Sequence, residues 1–240
     1  MTFALSVDQI SKHFGGVKAL DEVSFQMVPG EVVGLIGPNG SGKTTLLNVI
    51  SGFYQADQGK IHFAGERIDR FPPYEISKRG MGRTFQITKT FHRLTVLENM
   101  LVPALAKSKS KESDSIRRGL ELLDHLKIAH LKEELAEHLS GGQQKLLEFG
   151  KMLMLDPKMV LLDEPFAGVH PDLMIQLHEN VLQLKREGKP VLLVSHDMGS
   201  IFSICDRVMV LDKGRLVMDG APEVVKQDEK VIQAYLGENE

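Results

Sequence analysis

Apolar residues along the chain follow two different periods, and together these predict an α/β fold. Continuous apolar runs occur within "EVVGLIG" (31–37), "MVLLDEP" (159–165) and "PVLLVSHD" (190–197). Such runs are typical of strands in a parallel sheet that is buried on both faces. The segments 44–52 and 172–189 instead carry apolar residues at helical spacing, which predicts two helices, the second of them amphipathic.

Alternating segments near both ends predict additional antiparallel strands. "ALSVDQI" and "VSFQMV" alternate near the start of the chain, and "KIHFAGERI" predicts a hairpin around Ala64-Gly65. "RVMVLDKGRLVMDG" predicts a second hairpin around Lys213-Gly214. From about Thr95 to Leu139 the pattern is helical, interrupted by the polar tract 107–115, which we interpret as a solvated loop or helix end.

Composition excludes several classes of protein. The 240 residues are 42% hydrophobic and 25% charged, as in an ordinary globular domain. The net charge of -3 gives no electrostatic case for nucleic acid. A single cysteine, Cys205, excludes an internal disulfide and suits a reducing compartment. With no apolar run of membrane-spanning length and no signal-peptide pattern, we expect a chain that neither spans a membrane nor is exported, although it can still dock on a membrane protein.

The segment "GPNGSGKT" directly follows an apolar run and directly precedes a helical pattern. It satisfies G-x-x-x-x-G-K-[ST] without a mismatch, and this context distinguishes a phosphate-binding loop from a chance match. Backbone amides would surround phosphates, Lys43 would add a point charge, and the Thr44 hydroxyl would hold Mg²⁺. The predicted nucleotide-binding residues here are Gly37, Pro38, Asn39, Gly40, Ser41, Gly42, Lys43, Thr44 and Thr45.

Polar residues end the other two apolar runs, where parallel sheets bind ligands. Asp163 suits a contact to Mg²⁺, and Glu164 suits orienting or deprotonating an attacking water, unless both are solvated turn residues. His196 either contacts a terminal phosphate, holds that water or is structural. Gln86, in "GRTFQ", is a neutral side chain that could contact both Mg²⁺ and water.

The segment "EHLSGGQQKLLEFG" (137–150) is a second glycine-rich stretch. Ser140 and Gln143 have the spacing of a capping box, and apolar residues at helical spacing follow them. Considered alone, the segment predicts the start of an amphipathic helix and nothing more.

Taken together, these motifs resemble those of ABC-type ATPases, the nucleotide-binding subunits of ATP-binding cassette transporters. "LSGGQ" about twenty residues before "LLDEP" is highly specific for that family. The resemblance covers nearly the whole chain. In chain order the motifs are the P-loop 37–44, the Q-loop Gln86, the signature 139–143, the Walker B segment 160–165 and the H-loop His196.

The resemblance implies a P-loop NTPase (RecA-like) core with an antiparallel β subdomain and an α-helical signature subdomain. We expect one cassette over 1–240, with the helical subdomain at 87–155. It also implies ATP and Mg²⁺ as ligands and Thr44, Gln86 and Asp163 as metal contacts. The catalytic residues that it implies are Lys43, Gln86, Glu164 and His196.

In this family two cassettes dimerise head to tail, so each ATP lies between one P-loop and the other subunit's signature. The resemblance therefore implies that the second glycine-rich stretch binds the partner's nucleotide. Phe14 stands where the family places an aromatic ring on adenine, or else it is a core residue. The signature residues so implied are Ser140, Gly141, Gly142 and Gln143.

A narrower resemblance is to the LivG-type ATPases of branched-chain amino acid importers, through "FGGVKAL", "GRTFQITKTFHRLTVLENMLV" and "EPFAGVHP". It implies permease subunits, a second ATPase, an indirect link to a solute-binding protein and a location on the cytoplasmic face of the membrane. Related amide or urea import, lipopolysaccharide export and non-transport ABC ATPases remain alternatives. His170 replaces a frequent aspartate in the D-loop, and Lys145 replaces a frequent arginine after the signature, a change that we expect to be minor.

Overall fold

The fold is built on two β-sheets. A computed structural model describes residues 3–106, 111–228 and 231. The strands are β1 Leu5–Phe14, β2 Val17–Met27, β3 Val32–Ile36, β4 Gln58–Phe63, β5 Glu66–Arg67, β6 Met81–Arg83, β7 Met159–Asp163, β8 Val191–Val194, β9 Arg207–Asp212 and β10 Arg215–Gly220. The α-helices are α1 Lys43–Ile50, α2 Pro73–Lys78, α3 Val96–Leu101, α4 Glu112–His125, α5 Gly141–Leu153, α6 Pro171–Arg186, α7 Met198–Ile204 and α8 Pro222–Gln227.

The larger sheet has the strand order β10-β9-β3-β8-β7-β6. Its strands are parallel except for β10, which pairs antiparallel with β9. Parallel alignment brings the carboxyl ends of β3, β7 and β8 to one edge of the sheet. The smaller sheet, β2-β1-β4-β5, is antiparallel throughout. The expected α/β fold with antiparallel strands at both ends is therefore confirmed.

Alternate residues of the central strands enter two separate cores. In β7, Val160 and Leu162 pack into the core formed with α3 to α8, whereas Met159 and Leu161 pack into the core that includes α1 and the antiparallel sheet. Both faces of the strand are thus covered, which explains why its sequence is continuously apolar.

The segment 95–139 differs from its predicted helical pattern. Helices α3 and α4 are regular, but the chain between α4 and α5 forms only short 3₁₀ turns. Lys127 has a left-handed backbone (φ 54°) just after α4. The following chain then bonds with the start of α3, since Val96 N donates to Glu134 O and Ala136 N donates to Leu94 O. Backbone groups that are used in these bonds between segments are not available for the hydrogen bonds of a continuous helix.

Two other expectations concern the helices. Residues 107–110 of the polar tract lie outside the described residues, and α4 begins at Glu112 within the remainder of that tract. Among the described residues, every helix is too short or too polar to cross a membrane.

Candidate active site

A cavity of about 510 Å³ lies at the sheet edge where β3, β7 and β8 end. It combines the loop before α1, the ends of β7 and β8, and the beginning of β2. The residues that line it are Val17, Lys18, Ala19, Asn39, Gly40, Gly42, Lys43, Thr44, Thr45, Gln86, Asp163, Glu164, Val194, His196 and Lys213.

The loop between β3 and α1 requires glycine where it passes closest to other backbone. A Cβ at Gly37 would lie 2.2 Å from the Leu211 carbonyl oxygen, and one at Gly42 would lie 2.5 Å from the Ala19 carbonyl oxygen. Gly42 also has φ 108° and precedes α1 without a side-chain cap on the helix amides. The N-terminus of α1 therefore presents uncapped amides to the cavity, as in helix-terminal anion sites.

Lys43 lies beneath this loop with 7% of its surface exposed. Its Nζ donates to the carbonyl oxygens of Gly37 (2.5 Å) and Pro38 (3.0 Å). Burial lowers the pKa of Lys43, while the nearby Glu164 and Asp163 carboxylates act against that shift. The ammonium group is thus held beside the cavity by carbonyl dipoles that an anionic ligand can replace.

Asp163 ends β7 and is 3% exposed. Its Oδ2 lies 3.4 Å from Arg83 Nη2, whereas its Oδ1 is buried without a hydrogen-bond partner among the described residues. Burial raises the pKa of Asp163, and Arg83 opposes the shift. An unpaired buried carboxylate oxygen is costly unless a further ligand satisfies it, which fits a metal-bound role.

Arg83, at the end of β6, is a site residue that the sequence did not reveal. Its Nη1 donates to Ser51 Oγ (2.5 Å), and its guanidinium carbon lies 5.4 and 5.0 Å from the ring centres of Phe53 and Phe85. Burial lowers the pKa of Arg83, opposed by Asp163. Arg83 therefore fixes one oxygen of Asp163 from behind the cavity.

Glu164 has a left-handed backbone, with φ 51°, and is 5% exposed. Its N–H donates to the Val194 oxygen (2.9 Å), and its Oε2 accepts from the His196 amide (3.1 Å). Its Oε1 lies 3.1 Å from His196 Nε2. A non-glycine residue in this conformation costs about 1–3 kcal/mol and persists where its surroundings hold it.

The protonation equilibrium of Glu164 also fits a proton acceptor. Burial raises the pKa of Glu164, and the adjacent Asp163 raises it further, while the His196 amide, the His196 side chain and Lys43 oppose the shift. A carboxylate with a raised pKa accepts a proton more readily near neutral pH than an ordinary surface glutamate does.

Residues at the mouth of the cavity are accessible. Asn39, Thr44 and Gln86 are exposed, and Thr45 is half-buried. Ser41 is buried next to them, and its Oγ has no hydrogen-bond partner in the described part of the chain. These hydroxyl and amide groups supply donors and acceptors around the loop.

The oxygen donors fit Mg²⁺ better than a metal that prefers nitrogen or sulfur. Thr44, Gln86 and Asp163 all line the cavity, and each offers oxygen. The described residues contain no cluster of three or more His, Cys, Asp or Glu side chains that could hold a metal. Such a sparse donor set suits Mg²⁺, which usually keeps waters and substrate phosphate oxygens as ligands.

The second glycine-rich stretch lies outside this cavity. The predicted capping box is confirmed, since Ser140 Oγ accepts from Gln143 N (3.3 Å) and Gln143 Oε1 accepts from Ser140 N (2.9 Å). Ser140 and Gly141 are exposed, and, although all of Ser140–Gln143 is described, none of it lines the cavity. The two glycine-rich segments therefore do not share one pocket within this chain.

Phe14 also lies outside the lining. Its ring is 44% exposed and meets Tyr54 edge to face at 5.2 Å, so it is not a core residue. It pairs across the β1–β2 turn with Val17, which does line the cavity. The ring is thus near the cavity entrance and accessible.

Helix α5 contacts the segment that carries Gln86. Glu148 Oε1 accepts from the Phe85 amide (3.2 Å), and Lys151 Nζ donates to the Lys89 oxygen (2.7 Å). Thr88 Oγ1 also donates to Gln144 Oε1 (3.2 Å). The helix that starts at the second glycine-rich stretch therefore braces the Q-loop.

Comparison with known proteins gives matches over nearly the whole chain. A family model described as "ABC transporter" matches residues 20–167, and one described as "Branched-chain amino acid ATP-binding cassette transporter" matches residues 215–240. The probable branched-chain amino acid transport ATP-binding protein LivG of Archaeoglobus fulgidus is 38% identical over 97% of this chain and 95% of its own length. The lipopolysaccharide export system ATP-binding protein LptB of Haemophilus influenzae is 34% identical over 98% of this chain and 97% of its own length.

Solved structures give the same result. The ADP conformation of an ATP-binding cassette of an ABC transporter superposes with a TM-score of 0.89 at 38% identity, over 99% of each chain. A dimeric bacterial ABC transporter cassette superposes with a TM-score of 0.84 at 25% identity, over 91% of this chain and 98% of that one.

Proposed function

The chain belongs to the ABC transporter family of ATP-binding cassettes, and from this premise we propose that it powers the import of branched-chain amino acids. Cassettes of this family hydrolyse ATP, dimerise and act with transmembrane permease subunits. The observation that carries the finer proposal is the match of residues 215–240 to the branched-chain amino acid family model. The LivG similarity over nearly the full length supports it.

The cavity supports a division of roles in ATP hydrolysis. Lys43 would exchange its bonds to the Gly37 and Pro38 carbonyls for the outer phosphates. Glu164 would accept the proton of the water that attacks the γ-phosphorus, consistent with its raised pKa. His196, in contact with Glu164, would orient that carboxylate and hold the water or a γ-phosphate oxygen.

Mg²⁺ would neutralise charge on the β- and γ-phosphate oxygens when bound. Thr44, Gln86 and Asp163 are the residues that would hold it, directly or through water. Arg83 keeps one carboxylate oxygen of Asp163 engaged, so that the other remains available toward the cavity.

The signature residues, Ser140 to Gln143, are proposed to complete the site of a second subunit. Their exposed helix start is a typical anion-binding feature, and it lies outside the cavity of its own chain. With the P-loop on one subunit and the signature on the other, ATP would hold two cassettes together, and hydrolysis would let them separate. Phe14 would stack on the adenine near the cavity entrance.

The permease is proposed to dock at residues 87–105 and the groove beside them. Ile87, Phe91 and Leu105 are exposed apolar side chains in this region. An adjacent groove includes the exposed rings of Phe53 and Tyr74. Exposed apolar patches of this kind mark interaction sites, and a partner bound here would keep the chain on the cytoplasmic face of the membrane.

Lipopolysaccharide export is the second candidate, because the LptB similarity extends over nearly the whole chain.

Measurements in cells distinguish import of branched-chain amino acids from export of lipopolysaccharide. We would delete the gene in its host and measure uptake of labelled leucine, isoleucine and valine, with labelled glutamate as the control solute. Complementation with the wild-type gene should restore uptake, and the Lys43→Ala gene should not. Unchanged uptake together with loss of surface lipopolysaccharide would overturn the import proposal in favour of export.

A further inference from the structure

Lys145 connects helix α5 to the backbone that carries Glu164. It lies little more than one turn beyond Ser140, the N-cap of that helix. Its Nζ donates to the carbonyl oxygens of Glu164 (2.8 Å) and Ala167 (2.6 Å). Lys145 does not line the nucleotide cavity, so these backbone contacts are its direct connection to the reaction.

The backbone at Glu164 needs such support. Its left-handed conformation is anchored on the amide side by the bond to Val194 of β8. On the carbonyl side, the Ala167 amide also donates to Glu164, but at a longer 3.4 Å. Lys145 thus supplies the shorter of the two bonds to this carbonyl.

We propose that Lys145 is a positioning residue for hydrolysis, which holds the Glu164 backbone so that the carboxylate points into the cavity. The inference rests on the proposed function, because the same helix begins with the signature that would contact the partner's ATP. When α5 binds the partner's nucleotide, Lys145 would transmit any shift of the helix to the backbone of Glu164 in the same subunit. In the proposed dimer, nucleotide bound at one ATP site would thereby affect the position of Glu164 at the other ATP site.

The chemistry of the side chain suits this role. An ammonium group on a four-carbon stem has three donors and can serve two carbonyl oxygens at once. Burial lowers the pKa of Lys145, while Glu164 and Glu148 oppose the shift. Methionine has a stem of similar length without a donor, whereas arginine retains several donors. Lys145→Met and Lys145→Arg therefore separate hydrogen bonding from packing.

Hydrogen–deuterium exchange of the ATP-free protein tests the backbone anchor without any dimer. We expect amides of residues 166–169 to exchange about tenfold faster in Lys145→Met, because opening this loop no longer breaks two lysine bonds. Lys145→Arg should stay close to the wild type. Lys132→Met, a change at an exposed side chain, is the matched control and should change nothing. Equal exchange in Lys145→Met and the wild type would overturn the proposal.

Steady-state kinetics then test the consequence for hydrolysis. We expect kcat to fall about tenfold in Lys145→Met with KM for ATP within about twofold, because a misplaced base slows chemistry without touching the binding loop. Lys145→Arg should recover most of the rate. An unchanged kcat, or a rise in KM that accounts for the whole loss, would overturn the positioning role.

A dimer assay keeps this inference distinct from the proposed function. In a Glu164→Gln background, Lys145→Met should still form an ATP-dependent dimer, because the signature is unchanged. Loss of that dimer would overturn the proposal by assigning Lys145 a role in closure. If Ser140→Asp also dimerises in that background, the dimer model fails, whereas faster exchange in Lys145→Met still supports the anchor on Glu164 and equal exchange still overturns it.

Discussion

At the scale of single residues, the assignment of Glu164 as the proton acceptor gives the most direct test. Glu164→Gln keeps the shape of the side chain but removes its basicity. We expect kcat to fall by about 10²–10⁴-fold, the usual contribution of a general base. Affinity for ATP should hold, since the P-loop contacts are untouched. Phosphate release and titration with a fluorescent ATP analogue measure the two effects.

Glu179→Gln provides the control for that experiment, because Glu179 is an exposed carboxylate on α6 whose nearest ion-pair partner is 4.0 Å away. It should hydrolyse ATP like the wild type. Rapid turnover by Glu164→Gln would require another base, and the carboxylate contact to His196 would then need a purely structural explanation.

The buried pair of Arg83 and Asp163 gives a prediction about stability. The two side chains are 7% and 4% exposed, so Arg83→Met would leave a buried carboxylate without its ion-pair partner, with Lys43 as the remaining nearby positive charge. We expect a loss of about 3 kcal/mol in the free energy of unfolding. Adding Asp163→Asn should recover part of this loss, since it removes the stranded charge. Urea denaturation of both single variants and the double variant measures the coupling.

An exposed ion pair in the same chain serves as the control for the stability measurement. Arg117 and Asp114 lie 2.9 Å apart on α4 but are 71% and 52% exposed. Arg117→Met should therefore cost less than about 1 kcal/mol. If Arg83→Met cost no more than this control, Arg83 would not be holding Asp163 in the way inferred.

At the scale of elements, the sequence predicts the strands and helices that are marked by a pattern within their own residues. β3, β7 and β8 could be recognised because both faces of each are covered, which leaves a continuous apolar run. The start of α5 could be recognised because Ser140 and Gln143 cap it with each other. In contrast, β6 is a three-residue strand whose identity depends on pairing with β7, and no local signal marks it.

The same distinction applies to the site. The P-loop is one continuous segment, so its residues could be named from a motif. Arg83, Glu148 and Lys145 act across the fold, on Asp163, the Q-loop and Glu164 respectively. Their partners are 80, 63 and 19 residues away in the chain, which no spacing rule connects. Lys145 replaces a frequent arginine, a change that stays predicted to be minor, and its ammonium contacts the backbone oxygen of Glu164.

The bracing of the Q-loop by α5 predicts a dependence of stability on pH. Burial raises the pKa of Glu148 above its ordinary 4.5, so the folded state binds this proton more tightly than the unfolded chain does. Stability from this group is therefore fully present below the ordinary pKa and is lost as pH rises through the folded value. Glu148→Gln removes this pH-dependent loss of stability, because glutamine does not ionise. The glutamine side-chain oxygen can still accept a hydrogen bond from the Phe85 amide.

We accordingly expect Glu148→Gln to gain stability relative to the wild type as the pH rises above about 4.5, with the gap narrowing below it. Melting temperatures of the two proteins between pH 4.5 and 8 measure the effect. Because the rest of the sequence is identical, titrating groups that do not interact with Glu148 cancel in the comparison. A gap that shrinks with rising pH would contradict the assigned direction of the shift.

At the scale of the whole molecule, the two glycine-rich segments define two different surfaces. The P-loop opens into the cavity with Glu164 and His196, whereas the exposed helix start at Ser140 lies outside it. Each surface by itself offers amides to an anion. A head-to-tail pair would let one triphosphate use both, and this makes the proposed dimer dependent on ATP rather than on a permanent apolar interface.

That dependence can be tested with a pair of variants that differ only in charge. Asp and Asn cap a helix about as well as Ser does, so Ser140→Asp and Ser140→Asn should both preserve α5. Only Asp places a negative charge against the partner's triphosphate. In a Glu164→Gln background, we expect gel filtration with ATP to show a dimer for Ser140→Asn and a monomer for Ser140→Asp. Nucleotide affinity of the monomer should be the same for both, because Ser140 lies outside the cavity of its own chain. An ATP-dependent dimer of Ser140→Asp would mean that the signature does not face the partner's phosphates.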